Sequence, residues 1–185
     1  MENKDLSNKV IRLAERIGDD AGRAPAAREQ KRRPRSRVIA ITSGKGGVGK
    51  TNVVANLGYT LSRMGKKVLI LDADLGLGNL DVLLGMAPKY NLSHVLSGEK
   101  NISEIVLDGP GSMRILPASS GIQEMTRLSR AHKMKLLRDL DALIADVDFL
   151  LIDTAAGISS NVMYFTVTAQ EILVVSTPEP TAITD

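Results

Sequence analysis

Two spacings of apolar residues divide most of this chain. The runs Val38-Ile39-Ala40-Ile41, Val68-Leu69-Ile70-Leu71 and Phe149-Leu150-Leu151-Ile152 are unbroken, with no polar residue at every second position. Strands built from them bury both faces, the pattern of a covered parallel sheet. Between such runs the spacing lengthens to three and four: Val53, Val54, Leu57, Leu61 and Met64 mark one face of a helix that Gly65 closes. Read along the chain, the pattern predicts strands at 37–42, 67–72, 112–116, 148–153 and 171–176. It predicts helices at 50–64, 79–84, 92–97, 102–107, 128–145 and 159–168. Alternating strands and helices imply an α/β fold, a mostly parallel sheet with helices on both faces. No internal repeat is present.

The first 36 residues do not follow this alternation. Leu6, Val10, Leu13 and Ile17 lie at helical spacing and predict a short amphipathic helix over 5–17. Residues 18–36, rich in Ala, Arg, Gly and Pro, read as a flexible linker. The expected organisation is a leader at 1–36 and an α/β domain at 37–185.

Charge follows the same boundary. The net charge of +3 hides a leader (1–37) with 11 Lys/Arg against 6 Asp/Glu and a remainder with 13 against 15. Such a basic arm attracts nucleic acid or anionic lipid, or serves as a solvated linker. It carries no interleaved aromatic residue, which favours the linker, so no specific nucleic-acid partner is expected. With no cysteine, disulfides, thiolate metal sites and Cys nucleophiles are excluded from this sequence. His94 and His132 lack the paired spacing of metal ligands. No apolar run approaches the ~20 residues of a membrane-spanning helix, and the polar start lacks a signal-peptide core.

The chemistry concentrates between the first strand and the first helix. Gly44-Lys45-Gly46-Gly47-Val48-Gly49-Lys50-Thr51 fits G-x-x-x-x-G-K-[ST], the phosphate-binding loop of P-loop NTPases, with four glycines in eight residues. The backbone N–H groups of such a loop turn inward around a phosphate chain, and the following helix aims its N-terminus at the same place. Residues Gly44 to Asn52 are therefore the candidate nucleotide contacts: Gly44, Lys45, Gly46, Gly47, Val48, Gly49, Lys50, Thr51 and Asn52. Lys50 can reach the β/γ-phosphates, and the Thr51 hydroxyl can ligate Mg²⁺.

Three carboxylates complete the candidate site. Asp72 and Asp74 close the strand 67–72, two positions apart, which places both on one side. Asp153 ends the apolar run Phe149–Ile152 in the Walker-B manner and can hold Mg²⁺ directly or through water. In a parallel sheet these strand ends open onto the crevice where the loop lies. Lys45 is a second lysine in a loop that needs one. It either projects toward a partner's phosphates, as an arginine finger does in trans, or lies exposed beside the bound anion.

Lys45–Thr51 resembles the deviant Walker A motif of the MinD/ParA family of ATPases. Asp72-Ala73-Asp74-Leu75-Gly76-Leu77-Gly78-Asn79-Leu80-Asp81 is similar to that family's switch I, and Asp153-Thr154-Ala155-Ala156-Gly157 to its Walker B and switch II, where many members have Pro at the place of Ala155. The likeness spans 37–185. Leu83-Leu84-Gly85 and Pro117-Ala118-Ser119-Ser120-Gly121-Ile122-Gln123-Glu124-Met125 look most like the FlhG (FleN) branch, which controls flagellar number and placement. The resemblance implies a Mg²⁺-dependent ATP hydrolase that forms an ATP-sandwiched homodimer. Lys45 would contact the opposite subunit's nucleotide, Asp74 would orient the attacking water, and Asp72 would support Lys50 and the metal site. Catalytic roles thus fall to Lys45, Lys50 and Asp74, and metal binding to Thr51, Asp72 and Asp153.

The same likeness implies partners: a GTPase of the FlhF type, flagellar switch (C-ring) proteins or a flagellar transcription regulator. It implies a cytoplasmic protein with peripheral contact at the inner face of the plasma membrane, made by a helix beyond Asp185. FlhG leaders often carry Asp-Gln-Ala-x-x-Leu-Arg; Asn8-Lys9-Val10-Ile11-Arg12-Leu13-Ala14 keeps little of it beyond Leu13. Glu171 to Pro178 reads as a strand and its exit loop, seven residues from the chain's last, so a C-terminally truncated domain is expected.

Four other roles compete. Division-site placement or cargo segregation keeps the family and changes the task. A redox enzyme of the nitrogenase-reductase type needs cluster cysteines that this sequence lacks. A non-hydrolysing structural module leaves Lys45 and Asp74 without work. A GTPase calls for Asn-Lys-x-Asp, which does not occur in these 185 residues.

Overall fold

Side-chain alternation along one central strand sets out the architecture. In β2 (Val68–Ala73), Leu69, Leu71 and Ala73 face one apolar cluster, while Val68 and Ile70 face another. Every residue of β2 is buried, as its unbroken apolar run requires. This computed structural model describes residues 36–74, 78–118 and 129–178, except the side chain of Lys133. The chain divides into Met1–Arg33 and Pro34–Asp185. The predicted helix 5–17 and the linker lie outside the described residues, as do Leu75–Leu77 and most of the 117–125 stretch.

The described part is a six-stranded sheet in the order β3-β4-β2-β5-β1-β6. Its other strands are β1 (Arg37–Thr42), β3 (Leu107–Asp108), β4 (Arg114–Leu116), β5 (Phe149–Thr154) and β6 (Glu171–Val174). All neighbouring pairs are parallel except β3 with β4. The helices are α1 (Lys50–Arg63), α2 (Leu80–Leu83), α3 (Leu92–Leu96), α4 (Arg130–Ile144) and α5 (Ser160–Thr168).

Crossover handedness explains which face each long helix covers. The step from β1 to β2 runs one way along the sheet; the steps from β4 to β5 and from β5 to β6 run the other. Right-handed connections in opposite directions place their helices on opposite faces. Accordingly, Val54 and Ala55 of α1 pack with Ile41, Ile70 and Leu151, whereas Leu136 and Leu140 of α4 and Phe165 of α5 pack with Leu69, Leu150 and Ile152. Asp72 follows the parity of Val68 and Ile70, and Asp153 that of Leu151, so both carboxylates lie on the α1 face.

Two predicted elements change character. Residues 102–107, expected as a helix, form a single 3₁₀ turn at Ile102–Glu104 followed by the edge strand β3. Asn101 and Glu104 cap that turn reciprocally, and Leu107 and Asp108 then pair with Ile115 and Arg114. The predicted strand 112–116 begins only at Arg114, because Gly111 and Ser112 both adopt positive φ in the tight hairpin turn before it. Strand β6 ends at Val174 rather than at 176, although Val175 N–H still donates to Thr42 C=O at 2.8 Å.

Burial ranks the strands energetically. Leu151 is fully buried in the centre of the sheet, whereas Leu173 on β6 is 39% exposed. Leu151→Ala is expected to cost about 2–5 kcal/mol, the range for a cavity in a packed core. Leu173→Ala is expected to cost less than about 1 kcal/mol. Urea midpoints of the two variants at unchanged m-value check the contrast; equal shifts would contradict it.

Candidate functional site at the carboxyl ends of the strands

The loop from Ser43 to Gly49 leaves β1 and turns directly into α1. Gly47 (φ 81°) and Gly49 (φ 87°) occupy left-handed backbone conformations, which glycine adopts without a Cβ penalty. Gly49 is the N-cap of α1 and supplies no side-chain cap, and the first turn holds no acidic residue. The first N–H groups of α1 therefore point out of the helix end without a side-chain acceptor from the cap, a suitable cradle for an anion.

Lys50, first residue of α1, turns inward. Its side chain is 9% exposed, and its Nζ lies 2.5 Å from Oδ1 of Asp153, whose side chain is 2% exposed. The Thr51 hydroxyl also hydrogen-bonds Asp153. Burial pushes the Asp153 carboxyl above the usual carboxylate range, against the opposing pull of Lys50 and Thr51.

Asp72 stands in register with Asp153 on the neighbouring strand. It is 2% exposed, and its carboxylate accepts the N–H of Asp74 at 3.1 Å and of Leu80 at 3.3 Å. Burial, reinforced by the nearby Asp153 charge, pushes the Asp72 carboxyl up to about 7. Asp74 lies one residue past β2, partly buried and close enough to act electrostatically on both Asp72 and Asp153.

The sequence-predicted residues Lys50, Thr51, Asp72, Asp74 and Asp153 thus meet at one end of the sheet. One detail differs from the expectation: Lys50 pairs with Asp153, while backbone N–H groups hold Asp72. Lys45 is partly buried in the loop, and Gly44 and Gly46 are exposed.

Two other groups of residues lie partly within the switch-like segments, where the sequence assigns them no role of their own. A Cβ on Gly78 would lie 2.7 Å from Ala118 Cβ and 3.0 Å from Asp72 Oδ2, so the Asp72 carboxylate is packed against bare backbone. In the sequence Gly78 falls within the switch-I-like segment Asp72–Asp81, which does not by itself show that it packs on Asp72. The Thr154 hydroxyl, fully buried, donates to Ile41 C=O at 3.0 Å, and Gly157 N–H donates to Ser43 C=O at 2.9 Å. These bonds tie the chain after Asp153 to the chain before the loop.

The donor set fits magnesium. Asp153, paired with the Lys50 ammonium and hydrogen-bonded by Thr51, and Asp72, in register beside it, offer hard oxygen donors, and Mg²⁺ is commonly held by one or two carboxylates with phosphates and water supplying the rest. Among the described residues no group of three or more His, Cys, Asp or Glu could hold a metal ion by itself.

With the geometry in place, comparison with known proteins is decisive. An AAA domain family model matches residues 36–184. Antiactivator FleN of Pseudomonas aeruginosa is 49% identical over 148 residues, covering 80% of this chain and 53% of FleN. This chain belongs to the MinD/ParA family of P-loop ATPases. Flagellum site-determining protein YlxH of Helicobacter pylori is 39% identical over 150 residues, covering 81% of this chain and 51% of YlxH. The septum site-determining protein MinD of Pyrococcus horikoshii, solved with Mg-ADP, matches with a TM-score of 0.70 and 34% identity, covering 80% of this chain and 61% of that one. The MinD/ParA chain described here spans about half the length of the curated relatives it matches. Among its described residues no helix is long and apolar enough to cross a membrane.

Asp72 gives this MinD/ParA site a pH signature. Its folded pKa of about 7 lies above the unfolded value of 3.8. The stabilisation is therefore complete below pH 3.8 and is lost as pH rises through 7, where ionised Asp72 must stay buried. Without nucleotide, Asp72→Asn is expected to flatten the fall in thermal midpoint between pH 5 and 8 and to stabilise at pH 8, by a few kcal/mol at most. Parallel midpoint-against-pH curves for parent and variant would exclude this assignment.

Proposed function

We propose that this chain is a MinD-like ATPase switch that dimerises on ATP, resets by hydrolysis and regulates flagellar number and placement. The supporting observation is the buried Lys50–Asp153 pair at 2.5 Å beside the phosphate loop, with Thr51 and Asp72 against it. Lys50, Thr51 and Asp153 hold Mg-ATP, and residues Gly44 to Asn52 wrap its phosphates. Mg²⁺ would supply neutralisation of phosphate charge at Thr51, Asp72 and Asp153. Asp74 orients the attacking water, being partly buried just past the strand end. Lys45 serves the neighbouring subunit's nucleotide, because Lys50 already serves its own loop. The likeness to FleN and YlxH, together with the Leu83–Gly85 and 117–125 stretches, supports the flagellar role.

The partners proposed are a flagellar transcription regulator, which the likeness to an antiactivator favours, an FlhF-type GTPase, or switch-complex proteins. Membrane contact would be peripheral. The fold shared with MinD favours one alternative, placement of the division site.

Binding and turnover separate in two variants. Lys50→Ala is expected to abolish ATP binding by calorimetry, since it removes the phosphate contact and leaves Asp153 buried without its ammonium. Asp74→Ala is expected to bind ATP as the parent does and to lose turnover about 100-fold, the scale of a lost water-positioning group. ATP affinity untouched in the first, or turnover within a few-fold in the second, would sink the respective role.

The cellular task is tested by deleting the gene in its native cell and counting flagella and septa. Altered flagellar number with normal septa is expected. Misplaced septa with normal flagella would replace this reading with the division-site alternative.

A further inference from the structure

The residue that joins β1 to the phosphate loop makes two contacts of its own. Ser43 is 2% exposed. Its Oγ donates to the Lys45 carbonyl at 3.0 Å, and its own carbonyl accepts the Gly157 N–H at 2.9 Å. Just upstream, the Thr154 hydroxyl holds the Ile41 carbonyl at 3.0 Å. The backbone from 41 to 45 is thereby fastened to the backbone from 154 to 157 at two points, and Ser43 is shared between the fastening and the loop.

Holding the Lys45 carbonyl restrains the Lys45–Gly46 peptide plane, one of the two planes that flank the Lys45 Cα and orient its side chain. The restraint comes from the Ser43 hydroxyl. Lys50 is held by a different device, its ion pair with Asp153. The two lysines of the loop are thus held by different contacts. A change at Ser43 acts first on the Lys45 peptide and leaves the Lys50–Asp153 pair its own contact.

We propose that Ser43 is a positioning residue: its buried hydroxyl aims Lys45, and its carbonyl ties that aim to Gly157 in the segment after Asp153. The consequence is specific. Turnover that depends on Lys45 runs through Ser43, while nucleotide affinity, which depends on Lys50, does not. The inference rests on the reading of Lys45 as a group used in turnover, and the experiment keeps the two apart.

Four forms of the full-length protein are compared for ATP affinity by calorimetry and for kcat by phosphate release: parent, Ser43→Ala, Lys45→Ala and the double variant. Ser43→Ala is expected to lower kcat about tenfold, the order of one net hydrogen bond, with ATP affinity within about twofold of the parent. In the Lys45→Ala background it is expected to add nothing, since groups acting as one unit are non-additive. A loss of affinity parallel to the loss of kcat, an unchanged kcat, or the same tenfold loss in the Lys45→Ala background would overturn the proposal. Failure of the Lys45 reading looks different: Lys45→Ala alone then keeps parental kcat, and Ser43 has nothing to aim. If Ser43→Ala does not fold, Ser43→Cys carries the same comparison. It keeps the volume and weakens the donor, so a reduced kcat at unchanged affinity supports the proposal and a parental kcat overturns it.

Discussion

A buried ammonium 2.5 Å from a buried carboxylate holds the functional end of this molecule in place. The Lys50–Asp153 pair bridges the first residue of α1 and the end of β5, elements that sequence separates by about a hundred positions. Taking both charges out of water is expensive, and their mutual attraction repays it only because they meet closely and Thr51 adds a hydrogen bond. Asp72 has no such compensation from an ammonium. Two backbone N–H groups hold it, and its carboxyl rises to about 7. Two buried carboxylates side by side, only one of them paired with an ammonium, make a site disposed toward a hard cation.

The topology makes this convergence possible. Parallel strands present their carboxyl ends together, and a change of crossover direction beside β1 opens the crevice there. Alternation within β2 and β5 then turns Asp72 and Asp153 toward the face that α1 covers. The residues that stabilise the sheet and those that form the site are the same strands read at successive positions: Leu69, Leu71, Leu150 and Ile152 go to one core, and Asp72 and Asp153 end the series facing the other.

This economy explains why so much was legible in the sequence. An unbroken apolar run ending in Asp locates a buried strand and a carboxylate at its carboxyl end in one reading, and a glycine loop before a helical stripe locates the phosphate cradle. What escaped was non-local. Ile102 to Leu107 has helical spacing, yet Leu107 takes its partner from Ile115 and the reciprocal cap of Asn101 and Glu104 ends the turn early. Gly78 is demanded by a carboxylate and a methyl group arriving from elsewhere in the fold. Ser43 carries no motif signal, because its acceptor is a backbone carbonyl and its donor is the N–H of Gly157, neither of which a side-chain pattern records.

The Lys50–Asp153 pair also shapes how such a site answers a ligand. On the proposed reading, the lysine assigned to phosphate is already engaged by the carboxylate assigned to the metal. Arriving together, anion and cation would each relieve the partner that the other displaces, whereas phosphate alone would draw Lys50 away and leave Asp153 buried beside Asp72 with no opposing charge. On that reading phosphate and metal would be coupled through one ion pair, each favouring the other's binding by the cost of an uncompensated buried charge. The pair itself joins α1 to β5, and Thr154 and Gly157 join the chain after Asp153 to the backbone before the loop. The Lys50–Asp153 pair and these backbone bonds thus link both segments that border the crevice.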